Sequence, residues 1–235
     1  MRNIKLTIEY EGSRFFGFQR QKDRPTLQGE IEKALSRLFS RPMKIAAAAG
    51  RTDSGVHALA QVVNFRTESL LPPEKIRMAL NAFLPREVAV KKVEEVPPGF
   101  HARYGARWKT YEYLVWNSRV RSPLLDGRAL QYPYKLNLQA MRRAARRLVG
   151  RRDFKVFQAA GSSVKTSVRT VRRLTIRREG DLLRFSVEAD GFLYHMVRNI
   201  VGTLLETGRG KLKNVLAGGG PNLPGRGLTL VAVRY

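Results

Sequence analysis

The chain has 235 residues, of which 44 are basic and 19 acidic, giving a formal net charge of +25 at pH 7. It has no cysteine, and its three histidines show no metal-ligand spacing, which excludes disulfides and thiolate metal sites and argues against a metal cofactor. Arginines outnumber lysines more than two to one, which favours a nucleic-acid partner because guanidinium groups bind phosphate in bidentate pairs and stack on bases.

Apolar runs in the sequence are short. The longest uninterrupted one, residues 45–49, falls far below the length of a membrane-spanning helix, and residues 1–5 lack the apolar core of a signal peptide. We therefore expect a cytoplasmic protein with no membrane partner.

The first 99 residues predict the element order β-α-β-β-α-β. Apolar and polar residues alternate over residues 4–10, as in a half-buried strand. A helix follows, with Thr26 as its predicted N-cap, and its apolar face consists of Leu27, Ile31, Leu35 and Leu38. The other predicted elements are strands at 44–49, 61–66 and 88–96 and a helix at 73–83.

A similar order follows the Pro-Pro-Gly sequence at 97–99. A strand is predicted at 108–117, then a helix capped by Asn137, then a hairpin turning at 179–181. A helix from 195 to about 207 and a strand at 228–235 complete the pattern. The sequence thus predicts an α+β protein of two ferredoxin-like (split β-α-β) halves, residues 1–99 and 100–235.

Residues 50–58, Gly-Arg-Thr-Asp-Ser-Gly-Val-His-Ala, place one acid in a glycine-flanked basic loop. A carboxylate repels a docking polyanion, so Asp53 has either a chemical role or the ordinary role of a turn or capping residue. The whole string resembles the signature of the tRNA pseudouridine synthase A family, with Ser54 where alanine is common. The resemblance implies that Asp53 is the catalytic aspartate.

Further strings extend the resemblance over nearly the whole chain. They lie at residues 100–103, 109–113, 153–157, 196–202 and 227–235. The resemblance implies that Tyr111 stacks on the target uracil and that Arg198 forms an ion pair with Asp53, so these three are the candidate catalytic residues. The substrate-binding residues that it implies are Tyr111, Arg51, His57 and Arg103.

Each of these residues also has an ordinary structural explanation. Tyr111 is one of several aromatic residues on a strand, although alternation places it with Tyr113 on the face opposite Leu114 and Trp116. Arg198 is either a solvated helix residue or, because its neighbours are apolar, the partner of a buried acid. The arginines between 142 and 152 form either a solvated face or a phosphate-binding surface.

The family reaction detaches uracil from C1′ of its ribose and rejoins it through C5, without a cofactor. The resemblance implies that uridines at positions 38, 39 and 40 of the tRNA anticodon stem-loop are modified, and that a homodimer binds tRNA. It also implies that the two antiparallel sheets lie side by side with a basic cleft between the halves. Asp53 could attack C1′, add to the uracil ring or remove a sugar proton.

Two rival functions fit part of this pattern. A non-catalytic RNA-binding or ribosome-associated module would explain the charge and the repeated element order, but it would not require Asp53. A nucleotide glycosidase would use a carboxylate and release free uracil. Analysis of the reaction products separates all three.

Overall fold

The computed structural model describes residues 1–161 and 166–235 of the chain. It is a mixed structure of helices and mostly antiparallel strands, so the predicted α+β class is confirmed. The chain divides into two compact units: unit 1 is Met1–Arg107 with Leu230–Tyr235, and unit 2 is Trp108–Thr229. No helix in the described part is long and apolar enough to cross a membrane.

Unit 1 is a sheet with two helices. Its elements are β1 (Arg2–Tyr10), α1 (Leu27–Phe39), β2 (Ala47–Ala48), β3 (His57–Thr67), α2 (Pro73–Phe83), β4 (Val88–Val96) and the end of β10 (Leu228–Arg234). The strand order is β4-β1-β3-β10, and β2 pairs with β3. Strand β1 is antiparallel to both β3 and β4, and its register places Ile4 opposite Phe65 and Leu6 opposite Val63.

Alternation in β1 builds the core of this unit. Ile4, Leu6 and Ile8 are fully buried, and so are Leu27, Ile31 and Leu35 on the apolar face of α1, while Leu38 at the end of that face is half-buried. The Thr26 hydroxyl accepts a hydrogen bond from the Gly29 N–H at 3.3 Å, which confirms the predicted N-cap. Each such aliphatic side chain contributes about 1.5–3 kcal/mol by leaving water.

Unit 2 also contains strands and two helices. Its elements are β5 (Trp108–Trp116), β6 (Leu130–Gln131), α3 (Leu138–Arg147), β7 (Gly150–Asp153), β8 (Val168–Glu179), β9 (Leu182–Ala189) and α4 (Met196–Gly208). The strand order is β5-β9-β8-β7, and β6 runs parallel to β5. The Asn137 side chain accepts from the Ala140 N–H at 2.9 Å, which confirms the predicted cap of α3.

Two strand predictions in unit 1 differ from the structure. The strand predicted at 44–49 is reduced to the two residues of β2, and the Ile45 N–H donates instead to the Glu32 side chain at 3.1 Å. The strand predicted at 61–66 begins four residues earlier, because β3 pairs with β1 up to Ala58. Strand β3 therefore begins directly after the Asp53 loop.

Candidate active site

Asp53 lies in the loop between β2 and β3. Its carbonyl accepts a hydrogen bond from the Val56 N–H at 3.2 Å, so residues 53–56 form a β-turn. Gly55 holds a φ of +75°, a conformation that favours glycine over other residues. Asp53 itself is half-buried, while Arg51 and Ser54 are exposed on either side. The turn therefore holds the acid partly shielded from water, two residues after the exposed Arg51.

A second segment, residues 11–18, supports the Asp53 loop along its backbone. The Phe18 N–H donates to the Thr52 carbonyl at 2.9 Å, and the Ser54 hydroxyl donates to the Phe15 carbonyl at 3.2 Å. A Cβ at Gly12 would overlap with the Val56 carbonyl, so the close approach needs glycine there. The sequence does not indicate the supporting role of this segment, because its contacts are backbone approaches that produce no periodic pattern.

Gly17 brings the same segment close to the acid. It has a φ of +90°, and a Cβ there would lie 2.9 Å from the Thr52 carbonyl oxygen and 3.3 Å from the Asp53 carbonyl carbon. Both the backbone conformation and the available space therefore select glycine. The main chain of the Asp53 loop is fixed from outside by a segment distant in sequence.

Buried polar side chains also form hydrogen bonds with the Asp53 loop. The hydroxyls of Tyr10 and Thr52 form a hydrogen bond of 2.8 Å, and the Gln61 amide donates to the Gly50 carbonyl at 2.8 Å. Burial raises the pKa of Tyr10 to about 12, against smaller opposing effects of its hydrogen bonds to Thr52 and Gln61. The phenol is therefore neutral at physiological pH.

His57 is 7% exposed and contacts the 11–18 segment at Gly12. Its Nδ1 accepts the Gly12 N–H at 3.0 Å. Glu11 Oε1 lies 3.2 Å from the same nitrogen, but an Nδ1 that accepts from a backbone N–H has no proton to donate to a carboxylate. His57 thus fixes the start of the supporting segment, and its predicted contact with substrate stays a prediction.

Arg103 lies on an exposed turn of unit 1. Its backbone N–H donates to His101 Nδ1 at 3.2 Å, and its guanidinium carbon lies 5.7 Å from the Tyr104 ring centroid. The adjacent Ala102 packs in a small buried cluster with Ala49 and Val62. Four predicted site residues are thus in unit 1: Arg51, Asp53, His57 and Arg103.

The other two predicted site residues, Tyr111 and Arg198, are in unit 2. Tyr111 is on β5, is 7% exposed and contacts the Phe192 ring edge-on, with 5.0 Å between centroids. It shares its face of the strand with the buried Tyr113, as alternation predicts. Burial and the edge-on contact with Phe192 therefore hold the Tyr111 ring in one orientation.

Arg198 is half-buried in the first turn of α4, and its Nε donates to the Leu223 carbonyl. Burial raises the pKa of the neighbouring Tyr113, and the positive charges of Arg198 and Arg226 partly oppose this effect. The Tyr113 hydroxyl donates to the Pro224 carbonyl at 2.8 Å. Residues 223–224 therefore orient both side chains.

A close backbone approach fixes the 220–224 segment to α4. A Cβ at Gly202 would overlap with the Pro221 carbonyl, and the Gly220 N–H donates to the Thr203 hydroxyl at 3.2 Å. As in unit 1, a glycine contact positions a predicted site residue. No cluster of three or more potential metal-ligating side chains occurs in the part of the chain that the structure describes.

Comparison with known proteins identifies the family. The chain matches the family described as tRNA pseudouridine synthase over residues 6–105 and 144–217. It is 43% identical to the tRNA pseudouridine synthase A of Acetivibrio thermocellus and to that of Caldicellulosiruptor bescii, over the full length of each pair. It is 44% identical to tRNA pseudouridine synthase A 2 of Clostridium perfringens, again over both full chains.

These matches define an isomerase class that acts on RNA uridines. The chain belongs to the tRNA pseudouridine synthase family, which confirms the resemblance carried by residues 50–58. A solved structure of a Cbf5-Nop10-Gar1 complex also matches, covering 86% of this chain and 54% of that chain at 14% identity. Its TM-score of 0.34 is too low to support an argument about the fold.

Proposed function

We propose that the protein converts uridine to pseudouridine at positions 38, 39 and 40 of the tRNA anticodon stem-loop, using Asp53 and no cofactor. The proposal rests on one observation: residues 11–18 and buried polar side chains hold the Asp53 loop in a fixed position. An ordinary surface turn needs no second segment pressed against its backbone, whereas a reacting carboxylate must be held in one geometry. Full-length relatives named tRNA pseudouridine synthase A support the substrate class.

The reaction is an internal exchange of bonds. The C1′–N1 bond breaks, the C1′–C5 bond forms, C5 loses a proton and N1 gains one, so no redox partner is required. Positive charge develops on the sugar as the first bond breaks, and an ionised carboxylate stabilises or captures it. A hydrolytic glycosidase needs a second carboxylate to activate water, whereas this isomerisation must exclude water.

Access to the uridine requires the base to leave the stack. We propose that Tyr111 then stacks on the flipped uracil and that Arg51, His57 and Arg103 contact the surrounding RNA. Arg198 is proposed as the ion-pair partner of Asp53. The proposal also includes two ferredoxin-like halves, residues 1–99 and 100–235, with a basic cleft between them. It further includes tRNA binding by a homodimer and a cytoplasmic location.

The decisive experiment incubates unmodified tRNA with the pure protein, without added cofactor, and analyses its nucleosides by position. We expect pseudouridine at the three anticodon-arm positions. Asp53→Asn should abolish the product while tRNA affinity stays equal or rises slightly, because the variant loses a charge that repels phosphate. Asp23→Asn is the matched control, since it makes the same charge change at an exposed residue of unit 1.

Each rival gives a different result in this assay. Release of free uracil would identify a glycosidase. Tight tRNA binding without product would identify a binding module. Turnover of Asp53→Asn close to wild type would remove Asp53 from the mechanism.

A further inference from the structure

One aromatic side chain of unit 1 is conspicuously exposed. Tyr104 is 79% exposed, and one face of its ring stacks on the His101 imidazole with 4.4 Å between centroids and 28° between planes. His101 Nδ1 accepts the backbone N–H groups of Arg103 and Tyr104, both at 3.2 Å. These bonds fix the imidazole, which in turn orients the phenol ring.

The turn that carries Tyr104 is rigidly anchored. The Ala102 N–H donates to the buried Asn64 side chain at 3.1 Å, and the Ala102 carbonyl accepts from the Tyr235 hydroxyl at 2.8 Å. The Gly105 N–H closes the turn on the His101 carbonyl at 2.9 Å. An exposed ring on such a turn loses little conformational freedom when it binds a ligand.

Packing places this turn beside the Asp53 loop. Ala102 shares its buried cluster with Ala49, and four residues of chain from Ala49 to Asp53 span at most about 14 Å. Arg51 on the loop and Arg103 on the turn are both exposed. A flat aromatic surface and an exposed arginine thus lie on a turn that packs against the start of the loop carrying the proposed catalytic acid, and that loop carries a second exposed arginine.

This combination fits an unpaired nucleotide: a π-face for its base and guanidinium groups for its phosphate. We propose that Tyr104, supported by His101, is a stacking platform for an unpaired nucleobase of the tRNA next to the target uridine, with Arg103 on the adjoining phosphate. The inference rests on the proposed function and adds a positioning site to it. The platform contacts a nucleotide that does not react.

The experiment uses anticodon stem-loop RNAs with 2-aminopurine at each unpaired position in turn, because its fluorescence is quenched by stacking. Wild type, Tyr104→Phe, Tyr104→Trp and Tyr104→Leu are compared. Tyr134→Leu is the matched control, since Tyr134 is 49% exposed and also lies near a guanidinium group, that of Arg209. Thermal unfolding of every variant checks the fold.

We expect quenching at one position with wild type and both aromatic variants, and none with Tyr104→Leu. Affinity of Tyr104→Leu should fall by roughly 5- to 150-fold, the range of one base–aromatic stack. The control should change affinity less than twofold.

Two results would overturn the platform. The first is wild-type quenching and affinity in Tyr104→Leu. The second is a loss of self-association by Tyr104→Leu, measured by sedimentation, with unchanged RNA affinity, which would assign the ring to a second copy of the chain. If wild type still forms pseudouridine in the anticodon arm, either result removes the platform alone; if it forms none, the proposed function fails as well.

Discussion

At the scale of single residues, the glycines that contact the Asp53 loop leave no room for a side chain. Gly12 contacts the Val56 carbonyl so closely that an added methyl group must displace backbone. The constraint at Gly12 is one of space, because its φ is not in the left-handed region. A methyl group there should therefore disturb the geometry of the acid without removing any functional group.

We expect Gly12→Ala to lower the free energy of unfolding by about 1–3 kcal/mol and to reduce turnover severely. Gly99→Ala is the control, because a Cβ at Gly99 meets nothing within 4 Å and should change stability by less than about 0.5 kcal/mol. Urea denaturation and single-turnover rates test both variants. Equal stability and equal rates would show that residues 11–18 do not hold the loop.

The free energy of unfolding should depend on alkaline pH through Tyr10, whose hydroxyl bonds to Thr52 in the same loop. Its phenol has a pKa of about 12 in the folded chain, against about 10 in an unfolded one. Between these values only the unfolded chain releases the proton, so folding loses stability as pH rises. The loss from this one group reaches up to about 3 kcal/mol.

Tyr10→Phe removes this titration together with the hydrogen bond to Thr52. We expect the variant to be less stable than wild type at pH 8, and the difference in unfolding free energy to shrink between pH 10 and 12. Urea denaturation at several pH values measures it. A difference that stays constant or grows would contradict the raised pKa of Tyr10.

At the scale of elements, Glu32 on α1 connects three separate segments. It is 2% exposed; Oε2 pairs with Arg20 at 2.6 Å, and Oε1 accepts from the Gln28 side chain at 3.0 Å and the Ile45 N–H at 3.1 Å. Arg20 belongs to the loop that also carries residues 11–18. The Glu32 carboxylate therefore stabilises the loop whose residues 11–18 support the Asp53 loop.

Glu32→Gln removes the negative charge and replaces one carboxylate oxygen by an NH₂ group, which cannot accept a hydrogen bond. The ion pair with Arg20 is therefore lost, while the remaining amide oxygen can still accept from Gln28 and Ile45. We expect unfolding free energy to fall by about 1–3 kcal/mol and turnover to fall more than tRNA affinity. Glu30→Gln makes the same charge change in the first turn of the same helix and should leave turnover unchanged. If both variants lose affinity and turnover equally, Glu32 acts on global stability and not on the Asp53 loop.

Helix caps and helix periodicity were readable from the sequence because their signals are local. Thr26 and Asn137 cap as expected, and α2 has the predicted bounds. Strand β7 was missed, since its Gly-Arg-Arg-Asp sequence has no apolar alternation and its identity depends on pairing with β8. The sequence indicated Asp53 because residues 50–58 together resemble a family signature. The supporting role of residues 11–18 depends on backbone contacts between distant segments, which only the structure reveals.

At the scale of the whole molecule, the net charge of +25 should govern RNA affinity. Each phosphate contact adds about 0.7–0.9 to the slope of log affinity against log salt. We expect a steep loss of tRNA affinity with added potassium chloride at fixed magnesium, roughly 10³-fold between 50 and 200 mM if six or more phosphates are bound. A nearly flat dependence would show that charge is not the source of attraction.

The exposed arginines of α3 provide a sharper form of this measurement. Arg143 and Arg147 are both exposed. If they contact phosphate, replacing both with glutamine should lower the salt slope by about 1.4–1.8. An unchanged slope would identify α3 as a solvated face.

The membership of residues 230–235 in unit 1 has a consequence for synthesis on the ribosome. All of unit 2 is translated between Arg107 and Leu230, which takes roughly 6 to 25 s at elongation rates of about 5 to 20 residues per second. Until then part of the β3 edge lacks its neighbour β10, and an unpaired edge is a template for pairing with other chains. The Tyr235 bond to Ala102 also requires residues translated after unit 2, so the Tyr104 turn lacks this hydrogen bond until then.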